Sequence, residues 1–297
     1  AIGLRRLLGG QPDLAHDLRM ARLMVGILPT LLLLLLLRRE MQDLGVRPET
    51  RGIVLAGTGL GTLAFPYAML LYGHQLVAVL LYATYFLLRP RPLPRWRAAL
   101  AGFVAAFCVV VEYQAAIYMF FLVALSLPRK GTTWSTLFAF ALGALPPILA
   151  LAGYHNAAFG SPFKTSYHFV ADKFFASVHR QGFMGVGMPR LEPLVGSLFK
   201  PSKGLFFFSP LCLLGYAGLA AWWRLRTAGW ERALRLAMVT LPVLFVSSMV
   251  YWDGGWTVSQ RHLTPLIPFL VAPAACLVDR SRWARMLAPG IVMASVM

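Results

Sequence analysis

The chain has 297 residues, of which 58% are hydrophobic and 13% charged, and its formal net charge is +17. Apolar runs long enough to cross a bilayer recur along it, so the composition excludes an ordinary soluble domain and points to a polytopic membrane protein. The basic residues cluster in short stretches between apolar runs, as membrane topology selects, which sets aside nucleic acid as a partner.

Residues 1–19 come first. Asp13, His16 and Asp17 could imitate a metal site, but with Arg19 and Arg22 they fit an interfacial amphipathic helix at the tail of a non-cytoplasmic loop. The chain opens at Ala1 without a signal-peptide pattern and closes inside APGIVMASVM, so a fragment of a longer membrane protein is expected. Apolar segments follow at 20–37, 52–66, 73–88, 98–111, 114–127, 134–153, 205–223, 236–251 and 263–278, and another begins at 286. Residues 52–88 as one helix would run about 55 Å, too long for a hydrocarbon core of about 30 Å. Pro66, Tyr72 and His74 mark a reversal there. Residues 98–127 would run about 45 Å, and Glu112 and Gln114 interrupt them. Gly57-Thr-Gly59-Leu-Gly61 imitates a dinucleotide fingerprint but lacks the correctly spaced third glycine and a following acid. Gly57 and Gly61 fit GxxxG helix packing instead. Cys108, Cys212 and Cys276 lie inside apolar runs without a CxxC or CxxH neighbour, and read as small buried hydrophobes.

If both long stretches are hairpins, the loops RREMQDLGVRPETR, RPRPLPRWR, PRKG, RLRTAGWERALR and DRSRWAR share one side and hold 17 of the 28 basic residues. That side is cytoplasmic by the positive-inside rule. The expected fold is therefore all-α: a transmembrane bundle of about ten segments at 20–153 and 205–297, with a long structured non-cytoplasmic loop at 154–204. Several segments are only about fifteen residues long, short of the usual span of about twenty.

The non-cytoplasmic side carries the unusual residues. The long loop is too aromatic for disorder, and it holds Lys164, His168, Lys173, His179, Arg180, Arg190, Lys200 and Lys203. Basic groups placed against topology suit either an anionic ligand such as a lipid phosphate or membrane headgroups. Glu112 is the only acid between Glu49 and Asp172, and it reads as a functional carboxylate or as a satisfied acid at a helix end. His74 and Tyr113 join it in the short turns; a plain interfacial histidine competes with a ligand role for His74. The segment YWDGGWTVSQRH, residues 251–262, lies between two apolar runs. Trp252 and Trp256 could stack on a sugar or sit in an interfacial belt. Asp253 could bind a sugar hydroxyl or pair with Arg261. No GxSxG, Walker or HExxH pattern occurs, so soluble hydrolase and NTPase chemistry has no support.

Five pieces in order, TLAFPYAMLLYGHQLVAVLLYA, GFVAAFCVVVEYQAAIY, GYHNAAFGSPFKTSYHF, LFKPSKGLFFFSPLCLLG and YWDGGWTVSQRHLTPLIPFL, resemble bacterial polytopic glycosyltransferases of the GT-C superfamily. The likeness is to the protein O-mannosyltransferase and aminoarabinose transferase branches, and covers roughly residues 20–275. It implies transfer of a sugar from a polyprenyl-phosphate donor to an acceptor on the non-cytoplasmic face of the inner membrane. It also implies a catalytic carboxylate early in the first non-cytoplasmic loop. The chain enters that loop partway, so that acid is expected before Ala1, and neither Asp13 nor Asp17 is assigned to it. Ser259-Gln260-Arg261 departs from the G-P-R or G-x-R of the pattern, while Arg261 keeps the basic position.

Such a transfer needs a carboxylate to deprotonate the acceptor, basic groups for the leaving phosphate and an apolar groove for the prenyl chain. The donor-phosphate candidates are Arg261, Lys203, Lys164 and Arg190. The substrate-binding candidates are His74, Glu112, Tyr113, His168, Trp252, Asp253, Trp256 and His262. A divalent metal stays open as a cofactor. The partners expected are a polyprenyl-phosphate sugar, membrane lipid and other membrane subunits. Two alternatives stand beside the enzyme: a transporter of a lipid-linked precursor, and a non-catalytic subunit of a larger assembly.

Overall fold

A computed structural model describes residues 13–222 and 229–296. The start of the 1–19 segment and part of the loop RLRTAGWERALR lie outside the described residues. The described chain is all-helical, with only isolated β-bridges. Helix α1 (Leu14–Arg22) passes through a π-helical turn at Leu23–Ile27 into α2 (Leu28–Asp43). The helical path thus continues across the expected boundary at residue 19. Then come α3 (Pro48–Leu60), α4 (Ala64–Met69), α5 (Gly73–Leu88), α6 (Arg95–Val111), α7 (Ala115–Ser126) and α8 (Trp134–Phe159). The loop carries α9 (Lys173–His179) and α10 (Leu191–Phe199). The chain closes with α11 (Leu205–Phe208), α12 (Leu211–Trp222), α13 (Gly229–Ser248), α14 (Ile267–Arg280) and α15 (Arg282–Val296).

Both long stretches are broken. Residues 52–88 break at 61–63 and again at 70–72, and residues 98–127 break at 112–114. Local chemistry fixes several ends. Pro48 opens α3 at a position where a missing N–H costs nothing. Thr133 accepts a hydrogen bond from the Thr136 amide to cap α8, and Gly160 closes it at φ +72°.

Three helical stretches are long and apolar enough to cross a membrane: Leu14–Asp43, Trp134–Phe159 and Arg261–Arg280. Gly73–Leu88, Ala115–Ser126 and Leu211–Trp222 are shorter apolar helices. The core centres on α5 and α14, whose Val77, Leu81, Phe269 and Leu270 are buried. Glycines set the closest crossings. A Cβ on Gly102 would lie 1.9 Å from the Phe140 carbonyl oxygen, and one on Gly143 would lie 1.9 Å from that of Ala99, so α6 and α8 meet backbone to backbone. Gly57 faces Val292 and Gly61 faces Ser295, so the GxxxG stripe of α3 receives α15, as the sequence predicts.

One end of the bundle holds a buried ionic group. Arg235 of α13 is 0% exposed and Glu40 of α2 is 1% exposed. Arg235 donates to a Glu40 carboxylate oxygen, to the Phe269 carbonyl at 3.2 Å and to Tyr85 Oη at 3.1 Å. Tyr82 and Tyr85 hydroxyls also donate to Glu40. These hydrogen bonds and the ion pair offset the burial of the two charges, although the Arg235 Nε has no partner among the described residues.

Candidate functional site

The other end of α5 builds the candidate site. Gly73 starts α5, Glu112 ends α6, Gln114 precedes α7, and a 3-10 turn at Arg261–Leu266 leads into α14. These four chain segments bring His74, Glu112, Gln114, Arg261 and His262 together. His74 Nδ1 lies 3.6 Å from Glu112 Oε1 and has no hydrogen-bond partner. The His74 ring packs edge-on against His262 at 4.6 Å and stacks with Tyr72 at 6.3 Å. Gln114 Nε2 is 2.8 Å from His262 Nδ1, so the amide donates and fixes that nitrogen as the acceptor. Gly73 is required here: a Cβ on it would stand 2.7 Å from Glu112 Oε1.

Glu112 is tied to no backbone amide. Burial pushes its carboxyl above the ordinary carboxylate range, and the charge of Arg261 pulls the other way. Arg261 lies over the Tyr72 ring at 5.3 Å. Its one hydrogen bond is long, 3.5 Å to the Gly254 carbonyl, and its buried Nε has no partner. A guanidinium with unspent donors beside a partly buried carboxylate suits an incoming anion.

The segment at 251–262 is held in shape from outside. Lys203 Nζ donates to the Gly255 carbonyl and, at 2.9 Å, to that of Thr257. Ser259 Oγ donates to the Lys203 carbonyl at 2.9 Å. Burial pulls the Lys203 ammonium below its ordinary value, against Asp253 and with the help of Arg261. Ser259 has φ +52°, the left-handed region that favours glycine. Serine thus takes a backbone conformation that glycine adopts more readily, and Gln260 secures the turn by accepting from the His262 amide at 3.1 Å.

The long loop reaches the site through Tyr113. The Tyr113 hydroxyl is 2.8 Å from His155 Nε2, and its ring meets Tyr167 at 6.0 Å. Tyr167 in turn packs on His179 at 4.8 Å and, with His168, Arg180 and Met184, lines a cavity of about 280 Å³. Amide–carbonyl bonds from Gly187 to Ser248 and from Arg190 to Ser247, both 2.8 Å, fasten the loop to the end of α13.

Other predicted residues stand apart. Lys164 is exposed on the loop. Arg190 donates to the Met249 carbonyl at 2.6 Å, which makes it a brace for the loop. Trp252 is buried against Gly196, whereas Trp256 is fully exposed. No ion pair joins Asp253 to Arg261 among the described residues; Asp253 accepts from the Gly255 amide at 3.3 Å. Among the described residues no group of three His, Cys, Asp or Glu is placed to hold a metal ion.

Sequence reasoning missed Gln114 and Tyr72 as parts of the site. Both carry a signal, since Gln114 shares its turn with Glu112 and Tyr72 lies two residues before His74. No protein-family model, curated protein or solved structure matches the chain.

Proposed function

We propose that the chain is the membrane-embedded part of a glycosyltransferase that moves a sugar from a polyprenyl-phosphate donor to an acceptor on the non-cytoplasmic face. In this reading it crosses the bacterial inner membrane about ten times, with the basic loops in the cytoplasm. Short helices such as Ala115–Ser126 then end inside protein rather than at a membrane surface. The single observation that carries the function is Arg261, with an unpartnered buried Nε, beside the Glu112, His74 and His262 group. A leaving phosphate needs a preorganised cation, and a hydroxyl acceptor needs a carboxylate nearby. Lys203 has committed two of its N–H groups to carbonyls, so Arg261 is the principal phosphate ligand and Lys203 holds the segment around it.

The test is transfer from radiolabelled polyprenyl-phosphate sugars, carrying mannose, glucose or aminoarabinose, by the full-length protein in liposomes. Replacing Arg261 with Ala should abolish transfer. Equal turnover by the variant would remove Arg261 from the mechanism. No turnover with any donor would favour a non-catalytic subunit.

A further inference from the structure

We propose that Glu112 is the group that takes the proton from the acceptor hydroxyl; this rests on the function proposed above. The resemblance places such a carboxylate in the first non-cytoplasmic loop, whereas Glu112 stands at the end of α6, far along the chain. Six acids among the described residues belong to segments expected on the non-cytoplasmic side: Asp13, Asp17, Glu112, Asp172, Glu192 and Asp253. Asp13 caps α1, accepting from the His16 amide at 3.1 Å, and Asp17 is buried on that helix. Asp172 is spent capping α9, where it accepts from the Phe175 amide at 3.0 Å. Glu192 sits in the first turn of α10. Asp253 accepts from the Gly255 amide. Glu112 alone stands beside His74, its Oε1 3.6 Å from Nδ1, beyond hydrogen-bond range.

Access is right as well. The Glu112 side chain is 25% exposed while that of His74 is 4% exposed, so a substrate can reach the carboxylate and not the imidazole. Tyr113, the next residue, leads to the cavity beside Tyr167, His179 and Arg180, which offers aromatic faces and donors to a polar acceptor. Burial of the carboxyl raises its basicity above that of a solvated glutamate, which suits a proton acceptor.

The step balances as follows. The acceptor O–H bond breaks and its proton passes to a Glu112 oxygen. The acceptor oxygen forms a bond to the anomeric carbon. The bond from that carbon to the phosphate oxygen breaks, and its electron pair leaves with polyprenyl phosphate, whose charge faces Arg261.

The experiment measures consumption of a radiolabelled polyprenyl-phosphate sugar by the full-length wild type and by Glu112→Gln, with native membranes supplying hydroxyl acceptors or with sodium azide as acceptor. Azide is already an anion and needs no base. The expected result is a loss of about 10²–10⁴-fold with hydroxyl acceptors and retained glycosyl azide formation. Glutamine matches the volume of glutamate and keeps the contact with Gly73; Glu112→Asp, which withdraws the carboxylate, should give an intermediate loss with hydroxyl acceptors. Unchanged transfer in Glu112→Gln while the wild type is active would overturn this inference alone. Loss of both hydroxyl and azide transfer would also overturn it, because the carboxylate would then serve something other than proton removal. An inactive wild type would instead overturn the glycosyltransferase function on which it rests.

Discussion

Replacing Arg235 with Met should be among the most damaging single changes in the chain. The guanidinium is 0% exposed and meets Glu40, Tyr85 and the Phe269 carbonyl, with the Trp222 ring 4.9 Å from its centre. Methionine fills much of the same space but leaves Glu40 as a buried carboxylate whose remaining donors are the Tyr82 and Tyr85 hydroxyls. Removing one partner of a buried pair costs about 3–5 kcal/mol, chiefly through the charge left behind. Glu40→Gln should cost a similar amount, since it strands the arginine. The double variant Glu40→Gln/Arg235→Met removes both charges, so it should recover most of the loss and give a coupling energy of at least about 2 kcal/mol. Thermal unfolding of the four proteins in one detergent, followed by intrinsic tryptophan fluorescence, measures the cycle. Additive losses in the double variant, or a loss under about 1 kcal/mol in Arg235→Met, would refute a desolvated, mutually dependent pair.

Gly73→Ala should push the Glu112 carboxyl aside, because the new methyl would stand 2.7 Å from its oxygen; turnover should fall while donor binding and thermal stability stay near wild type. Gly143→Val should separate α6 from α8, against the Ala99 carbonyl at 1.9 Å, and cost about 1–3 kcal/mol or more, as overpacking does; unchanged unfolding in detergent would count against that crossing. Lys203→Met should release the Gly255 and Thr257 carbonyls and cost about 1–3 kcal/mol, visible as faster proteolysis near Trp256. Glu112 also predicts a pH effect. Its folded-state carboxyl titrates above the ordinary value, so between those two values the folded state holds more proton than the unfolded one. Stability from this group is therefore present at low pH and falls as pH rises through that window. Glu112→Gln should lack this slope when unfolding is compared across the acidic range.

The helical class and most of its breaks were legible because they left a local mark. Tyr72 falls in the break at 70–72 and Glu112 with Gln114 in the break at 112–114, whereas Pro66 lies inside α4 and the break at 61–63 carried no expected mark. The GxxxG stripe at Gly57 and Gly61 was equally local. The polar residues His74, Glu112 and His262 could be named because each is out of place in an apolar chain, yet nothing in the sequence says that they meet. Gln114 and His262 are 148 residues apart, and Glu40 and Arg235 are 195 apart. Glu40 and Arg235 were hidden for a further reason: both sit in stretches dense with other charges, where each reads as one more loop residue. Lys203 and Arg190 looked available for a phosphate because a sequence shows side chains and not the carbonyls waiting for them. Nothing in the sequence marked Ser259 as a left-handed position, since serine rarely adopts one.

The helix that carries the site is pinned at three heights. At its head Gln114 holds His262, midway the Phe269 carbonyl accepts from Arg235, and at its tail Asp279 accepts from Arg47 at 2.8 Å and Thr50 at 3.0 Å. A rod anchored at both ends and its middle cannot tilt without breaking contacts to three different helices. In the transfer proposed above, any gate over Arg261 must therefore lie elsewhere, and the candidate is the aromatic loop, tied down by main-chain bonds to the end of α13 and by the Arg190 side chain. On that proposal, donor entry and product exit would be governed by that loop, with the Arg261 seat stationary throughout.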